Sequence, residues 1–229
     1  LARRREITGL PSKRADVAPF YAMEILKTAN EMADGGADIM HMETGEPVGG
    51  APSKVIEAAH AALDGAHLGY TEAKGDPRLR ARIAQHYDDN YGQQVALERI
   101  AVTTGASGGL LLAFLAAFDV GDRVAMADPS YPAYRNTLAA LGLQTVGLPA
   151  GPETRFQPTV ELLKALDKPI QGLIISSPSN PTGTMIPRSE FEAVANYCED
   201  AGIRIISDEI YHGITFGERA ETVLAYSAS

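Results

Sequence analysis

Residues 172–211, GLIISSPSNPTGTMIPRSEFEAVANYCEDAGIRIISDEIY, decide the fold class of this protein. The stretch contains two short runs rich in β-branched residues, at 172–176 and 204–207, which are typical of buried strands. A helical pattern separates the two runs, and strands joined through a helix normally lie parallel in one sheet. The stretch therefore predicts a strand-helix-strand unit.

The same alternation extends towards the N-terminus. Helical patterns are predicted for residues 21–32, 51–65, 77–90 and 110–118, and further β-rich runs for residues 100–103, 123–127 and 144–148. Repeated units of this kind predict an α/β fold with a mainly parallel sheet sandwiched by helices. The first 45 residues are irregular around one helical stretch, so they are interpreted as an arm.

Composition excludes several classes of function. Asp and Glu outnumber Lys and Arg by 29 to 20, for a net charge of -9, so nucleic acid is not an expected partner. The longest apolar stretch, residues 110–118, is much shorter than the roughly 20 residues that span a bilayer, and no signal-peptide pattern opens the chain. A cytoplasmic protein with no membrane partner and no metal is expected. The single cysteine, Cys198, is interpreted as a core thiol.

Ligands of parallel sheets bind at the carboxyl ends of the strands. Four of the predicted strands are followed by chemically selective residues, which are TGASGG at 104–109, DPSY at 128–131, SPSNPTG at 177–183 and DEIY at 208–211. These four strand ends are expected to converge on one site.

The glycine-rich turn at 105–109 opens an apolar helix, so its backbone N–H groups and the positive end of the helix dipole predict an anion site. The turn lacks the ending of a P-loop and the spacing of a dinucleotide fold, which favours a single phosphate monoester. The alternative is that the glycines only allow tight packing of strand and helix.

Three side chains at the other strand ends each allow two interpretations. Asp208 closes a buried strand, where its carboxylate could pair with a protonated pyridine nitrogen or cap a following helix. Asn180 lies in Asn-Pro-Thr-Gly, which could be a binding loop or only a turn. Tyr131 could lie flat against a planar cofactor or fill core space.

Taken together, these segments resemble the class I/II, fold-type I, pyridoxal-phosphate-dependent aminotransferases. The motifs that carry the resemblance are Gly45-Glu46-Pro47, Tyr70-Thr71 with Gly75 and Leu79-Arg80, and residues 104–107, 128–132, 180–183 and 207–211. The likeness extends from about Val17 to the end of the chain. It implies that residues 1–48 form an N-terminal arm and small-domain segment, and residues 49–229 a cofactor-binding large domain.

The resemblance assigns the cofactor, pyridoxal 5'-phosphate, to the four strand ends. Gly105, Ala106 and Ser107 would hold its phosphate, and Tyr131 would stack on its pyridine ring. Asp208 would pair with the ring nitrogen.

Further residues would complete the site. Asn180 and Tyr211 would donate hydrogen bonds to the phenolic oxygen of the cofactor, and Gly45 and Asn180 would contact the substrate. Tyr70 would reach the phosphate bound by the neighbouring subunit of a homodimer. The implied reaction transfers an amino group from an amino acid to a 2-oxo acid.

The resemblance also implies a lysine that carries the cofactor as a Schiff base, some tens of residues after the Asp-Glu-x-Tyr motif. The chain ends at Ser229 before such a position, so an N-terminal portion of a longer enzyme is expected, with no catalytic residue of its own. Alternatives stay open: a carbon-sulfur lyase or related synthase of the same fold, a ligand sensor attached to a DNA-binding domain, or a catalytically inactive fragment.

Overall fold

A computed structural model of the protein describes residues 11–45, 49–65 and 68–226. The predicted motif residues Glu46 and Pro47 lie outside this part of the chain. The described helices of the α type are α1 Tyr21–Asp34, α2 Ser53–Gly65, α3 Pro77–Tyr91, α4 Gly105–Ala117, α5 Pro132–Leu141, α6 Val160–Lys164 and α7 Arg188–Ala201. The strands are β1 Arg123–Asp128, β2 Gln144–Pro149, β3 Gly172–Ser176 and β4 Arg204–Asp208. Short 3-10 helices lie at Lys13–Ala15, Leu97–Arg99, Pro152–Thr154 and Val223–Ala225.

The strands form one parallel sheet in the order β2-β1-β3-β4. Strands β3 and β4 are neighbours, and their register pairs Ser176 with Asp208. The predicted strand-helix-strand unit is therefore confirmed. Its register places the end of β4 beside the loop that carries Asn180.

Helices cover both faces of the sheet, as the sequence pattern predicts. On one face, α4 and α5 pack on β1 and β3 through a cluster of buried residues comprising Phe114, Val124, Met126, Tyr134, Leu138, Leu143 and Ile174. On the other face, α6 and α7 pack through a cluster that includes Ala125, Leu163, Leu173, Ile175, Phe191, Val194 and Cys198. Successive residues of β1 and β3 enter opposite clusters because side chains alternate along a strand.

Local sequence accounts for several helix ends. Pro132 begins α5, where its missing N–H costs nothing and its fixed φ suits the first turn. Gly142 directly follows α5 and Gly202 directly follows α7, both in the left-handed conformation that favours glycine, with φ of 78° and 67°. Thr159, directly before α6, caps the helix by accepting a hydrogen bond from the backbone N–H of Leu162.

One predicted strand is wrong. Residues 100–103 are not part of the sheet, and α4 begins two residues later. Ile100 has the extended backbone of a strand, with φ of -106° and ψ of 126°. No strand of the described residues pairs with this segment, and an extended segment without a neighbour makes no ladder of hydrogen bonds. The phosphate-binding prediction therefore rests on the start of α4 and not on a strand end.

The chain divides into two compact units, Leu1–Ala18 with Pro77–Ser229, and Pro19–Asp76. The first contains the sheet and α3 to α7, and the second contains α1 and α2. The division into an arm at 1–48 and a large domain at 49–229 remains a prediction. Among the described residues, none of the helices combines the length and apolar character needed to cross a membrane.

Candidate active site

Asp208 is the last residue of β4, and its side chain is buried. Its Oδ2 atom accepts a hydrogen bond from the Tyr134 hydroxyl at 2.6 Å, and Oδ1 accepts one from the backbone N–H of Ile210 at 3.1 Å. The residues that follow form a turn, so Asp208 does not cap an α-helix. Neither donor carries a charge, and a buried carboxylate held in this way can accept a cation.

Tyr134 is a buried residue of α5 that connects two of the predicted site residues. Its ring meets the ring of Tyr131 edge to face, with centroids 5.4 Å apart and planes at 82°. Burial, followed by the hydrogen bond to Asp208, raises the pKa of Tyr134. The hydroxyl therefore stays protonated and remains a donor to the carboxylate at any physiological pH. Tyr131 lies before α5 and is only partly buried, which leaves part of its surface open.

Asn180 and Tyr211 are brought together from the loops that follow β3 and β4. The Asn180 amide Nδ2 donates to the Tyr211 hydroxyl oxygen at 3.2 Å. Because Tyr211 accepts in this bond, its own hydroxyl proton is directed elsewhere and can be donated to a ligand. The pair lies beyond the carboxyl ends of β3 and β4, and because both side chains are only partly buried, it is partly open to solvent.

The loop that carries Asn180 is closed on itself and held from beneath. Within it, Ser179 N–H donates to the Thr184 carbonyl at 2.9 Å, and Gly183 N–H to the Ser179 carbonyl at 2.8 Å. The buried Gln157 donates through Nε2 to the carbonyls of Ser176, at 3.2 Å, and Thr184, at 2.9 Å. The two ends of the loop are thereby fixed to one side chain.

The first turn of α4 contains Gly105, Ala106 and Ser107, and all three are exposed. Gly105 has φ of 68°, in the left-handed region that side chains other than glycine rarely adopt. The Thr103 hydroxyl donates to the Gly105 carbonyl at 2.9 Å and fixes this start of the helix. The Gly105 N–H donates to the Thr103 carbonyl at 2.9 Å, so the N–H groups of Ala106 and Ser107 are the ones that the turn presents at the positive end of a helix dipole.

The other end of α4 contacts the sheet. Arg204, the first residue of β4, donates from its guanidinium to the carbonyl of Ala117, the last residue of α4, at 2.6 Å. The end of α4 therefore lies beside the start of β4.

Comparisons with known proteins agree with this arrangement. A family model described as aminotransferase class I and II matches residues 37–228. This chain belongs to the class I and II aminotransferase family. The structural neighbours of the chain are members of the same group, so the partial parallel sheet between helices is the family fold.

Individual members of the aminotransferase family can be compared over nearly the whole chain. The valine–pyruvate aminotransferase of Mycobacterium tuberculosis is 48% identical over 94% of this chain and 56% of its own length. A crystal structure of an aminotransferase from Mycobacterium tuberculosis has a TM-score of 0.90 at 46% identity, covering 95% of this chain and 57% of that chain. An aspartate aminotransferase from Thermus thermophilus, with maleate, has a TM-score of 0.89 at 28% identity, with coverages of 94% and 57%. The chain thus spans little more than half the length of the aminotransferases that it matches.

Two residues predicted for the aminotransferase site, Gly45 and Tyr70, belong to the second compact unit. Gly45 is exposed, and the Tyr70 side chain is fully exposed. Their roles towards substrate and phosphate remain predictions. Cys198, by contrast, is buried among apolar side chains of α7, and burial raises its pKa to about 12, as suits a core thiol.

The structure adds three residues that the sequence does not single out, namely Tyr134, Gln157 and His212. Tyr134 could have been found, because it lies three residues after Tyr131 in a helix that Pro132 opens, and such spacing places two side chains on one face. Gln157 and His212 carry no sequence signal, since their partners are distant along the chain.

Proposed function

We propose that the protein to which this chain belongs transfers an amino group from an amino acid to a 2-oxo acid, with pyridoxal 5'-phosphate as cofactor. The observation that carries the proposal is the buried Asp208 carboxylate at the end of β4, held by two uncharged donors. The family membership supports the same reaction, and the names of the relatives are those of aminotransferases.

Asp208 suits the ring nitrogen of the cofactor. Its carboxylate is buried and oriented by Tyr134 and Ile210, so a protonated pyridine nitrogen would supply the countercharge that the two hydrogen bonds do not. The attraction between the two charges keeps the proton on the nitrogen. When bound, pyridoxal phosphate supplies an electron sink for negative charge at the amino-acid carbon.

Asn180 and Tyr211 suit the phenolic oxygen. The Asn180 amide has a second N–H, and the Tyr211 hydroxyl proton is not used in the bond between them, so two donors remain for one oxygen atom. The resemblance also assigns Asn180 to the substrate side. Tyr131, partly open and braced edge-on by Tyr134, suits stacking on the ring face.

The first turn of α4 suits the phosphate. Gly105, Ala106 and Ser107 are small and exposed, so a phosphate can approach the turn closely. Its donors would be the Ala106 and Ser107 N–H groups and the Ser107 hydroxyl, because the Gly105 N–H already donates to the Thr103 carbonyl. The whole set would hold the cofactor at three points: the phosphate at α4, the ring nitrogen at β4 and the phenolic oxygen at the Asn180–Tyr211 pair.

We further propose a homodimer in which Tyr70 of one subunit donates to the phosphate bound by the other, with Gly45 beside the substrate. Support comes from the full exposure of the Tyr70 ring, which leaves its hydroxyl available to a second subunit. The cytoplasmic setting that the composition suggests remains a prediction.

The proposed reaction is tested with the natural protein that contains these residues. After incubation with pyridoxal phosphate, an amino-acid donor and 2-oxoglutarate, formation of glutamate is measured beside pyruvate and ammonia. Formation of one glutamate for each amino-acid donor consumed supports amino transfer. Pyruvate and ammonia without glutamate would instead identify the lyase reaction, and no turnover with a panel of amino acids would refute both.

A further inference from the structure

His212 directly follows Tyr211, and its imidazole is enclosed, with 7% of the side chain exposed. Both ring nitrogens have partners. Nδ1 lies 2.8 Å from the hydroxyl oxygen of Tyr91 at the end of α3, and Nε2 lies 3.1 Å from the carbonyl oxygen of Ser177, directly after β3. The ring therefore spans from a helix to the loop that carries Asn180.

These partners decide which nitrogen of the neutral ring carries the proton. A carbonyl oxygen can only accept, so Nε2 must donate to Ser177. Nδ1 is then the acceptor, and the Tyr91 hydroxyl donates to it. Burial, followed by the charge of Glu209, raises the pKa of Tyr91, so this hydroxyl keeps its proton and can serve as the donor.

Glu209 is the charged neighbour of this ring, and it is fixed by other contacts. Its Oε1 atom accepts hydrogen bonds from the Ser207 hydroxyl, the Thr222 hydroxyl and the Val223 backbone N–H, at 3.0, 3.0 and 2.9 Å. Its Oε2 atom lies 3.7 Å from His212 Nδ1, which is longer than a hydrogen bond. The imidazole is therefore held by Tyr91 and Ser177, with the carboxylate nearby but separate.

The contacts of His212 affect the spacing between the loop after β3 and the segment after β4. Tyr211 contacts Asn180 at 3.2 Å, and the next residue, His212, contacts Ser177 at 3.1 Å. Consecutive residues after β4 thus hold two points of the loop after β3. The β3–β4 pairing and Gln157 hold the ends of the loop after β3, and the His212 bond adds a direct contact from the segment after β4 to Ser177.

We propose that His212 is a positioning residue, which sets the Asn180–Tyr211 pair at the distance that one ligand oxygen requires by fixing the Ser177 carbonyl. The assignment of that oxygen to pyridoxal phosphate rests on the proposed function above. The hydrogen bond from His212 Nε2 to Ser177 and its effect on the loop are independent of that proposed function.

The first measurement uses the natural protein without cofactor. Long-range nitrogen-proton spectra of the imidazoles should show His212 in the Nε2–H form, and Tyr91→Phe should weaken this preference because Nδ1 loses its donor. A neutral ring with the proton on Nδ1 would overturn the proposal, because it could not donate to Ser177.

The second measurement compares His212→Leu with His212→Gln, since a glutamine amide can place an N–H near the position of Nε2. In His212→Leu, amide hydrogen exchange at Ser179 and Gly183 should accelerate by about tenfold, the factor expected for losing one modest hydrogen bond. His212→Gln should restore most of the protection. If His212→Leu folds and its exchange rates at Ser179 and Gly183 are unchanged, the proposal is contradicted. If His212→Leu does not fold, the proposal is contradicted when His212→Gln fails to protect these two amides.

The third measurement links the loop to the site. With pyridoxal phosphate bound, His212→Leu should shift the absorption spectrum of the cofactor and lower kcat by about tenfold, with recovery in His212→Gln. Tyr197→Phe, on a helix remote from these contacts, is the control and should change neither. A parent protein that binds no cofactor would refute the proposed function, while the spectra and exchange of the cofactor-free protein would still decide the role of His212.

Discussion

The Tyr134 hydroxyl donates to the Asp208 carboxylate across 2.6 Å, in the buried space between α5 and the end of β4. The two residues are far apart in sequence, and one of them carries the proposed pairing with the cofactor nitrogen. Tyr134 holds Oδ2, and the Ile210 N–H holds Oδ1, so the carboxylate has one orientation before any ligand arrives. Such preorganisation lowers the cost of binding.

Replacing Tyr134 with Phe should therefore weaken the site without emptying the space that the ring fills. We expect the free energy of unfolding of the cofactor-free protein to fall by about 1–3 kcal/mol, because the buried Asp208 carboxylate loses one of its two donors. Denaturant titration measures this change. Tyr197→Phe removes a hydroxyl on the other face of the sheet and should have a smaller effect. Equal losses in the two variants would contradict the role of Tyr134.

Asp208→Ala should lower the turnover of the natural protein by about a hundredfold or more, equivalent to about 2.7 kcal/mol of the barrier, because the ring nitrogen loses the charge that keeps it protonated. Initial rates at saturating donor measure the effect. As a comparison, Cys198→Ser should leave turnover nearly unchanged but reduce stability, since it places a hydroxyl in the apolar core. Activity of the Asp208 variant close to that of the parent would refute the site assignment.

A shared site predicts complementation between subunits. A Tyr70→Phe subunit mixed with an Asp208→Ala subunit should form heterodimers with one site free of both lesions and the other carrying both. Such heterodimers should regain activity that each parent variant lacks, up to about half of the activity of the unmodified dimer per molecule. Mass spectrometry of the intact dimer confirms the exchange of subunits. Exchange without recovery would show that Tyr70 does not act across an interface.

Gln157→Leu keeps a side chain of similar size but removes the hydrogen bonds to the carbonyls of Ser176 and Thr184. Both carbonyls would lose the donor that the buried residue 157 supplies, so the free energy of unfolding should fall by about 1–3 kcal/mol. Gln171→Leu is the matched control, because Gln171 is exposed and water can replace its bond to the Arg123 N–H. A loss no larger than that of the control would contradict the argument.

The pKa of Tyr87 is raised to about 12 by burial and, secondarily, by the charge of Glu209. The folded protein therefore keeps this proton at a pH where the unfolded chain, with an ordinary tyrosine near pH 10, has lost it. The contribution of Tyr87 to stability is fully present below pH 10 and should decline as the pH rises towards 12. Denaturation at several alkaline pH values measures the slope, which should be shallower in Tyr87→Phe. An identical slope in the variant would show that Tyr87 does not contribute.

Most of the sheet was predictable because its signals are local. β-Branched runs and a helical pattern between residues 176 and 204 act within a few residues, so the sequence indicates β1 to β4 and α7. Neither α5 nor the short α6 is among the helices predicted from the sequence. The exception at residues 100–103 has a non-local cause. Their composition favours an extended backbone, which Ile100 has, but a strand also needs a neighbour to pair with.

In the candidate site too, some features follow from local sequence and others depend on the tertiary structure. The sequence by itself determined the residue types that follow the strands, including Asp208, Asn180 and Tyr211, because each lies in a motif next to a local signal. Only the tertiary structure decided their partners. Tyr134 reaches Asp208, Gln157 reaches Thr184 and Tyr91 reaches His212. A hydrogen bond depends on separations of a few ångströms between atoms, and those separations are set by the packing of α3, α5 and the loops on the sheet, which no local pattern encodes.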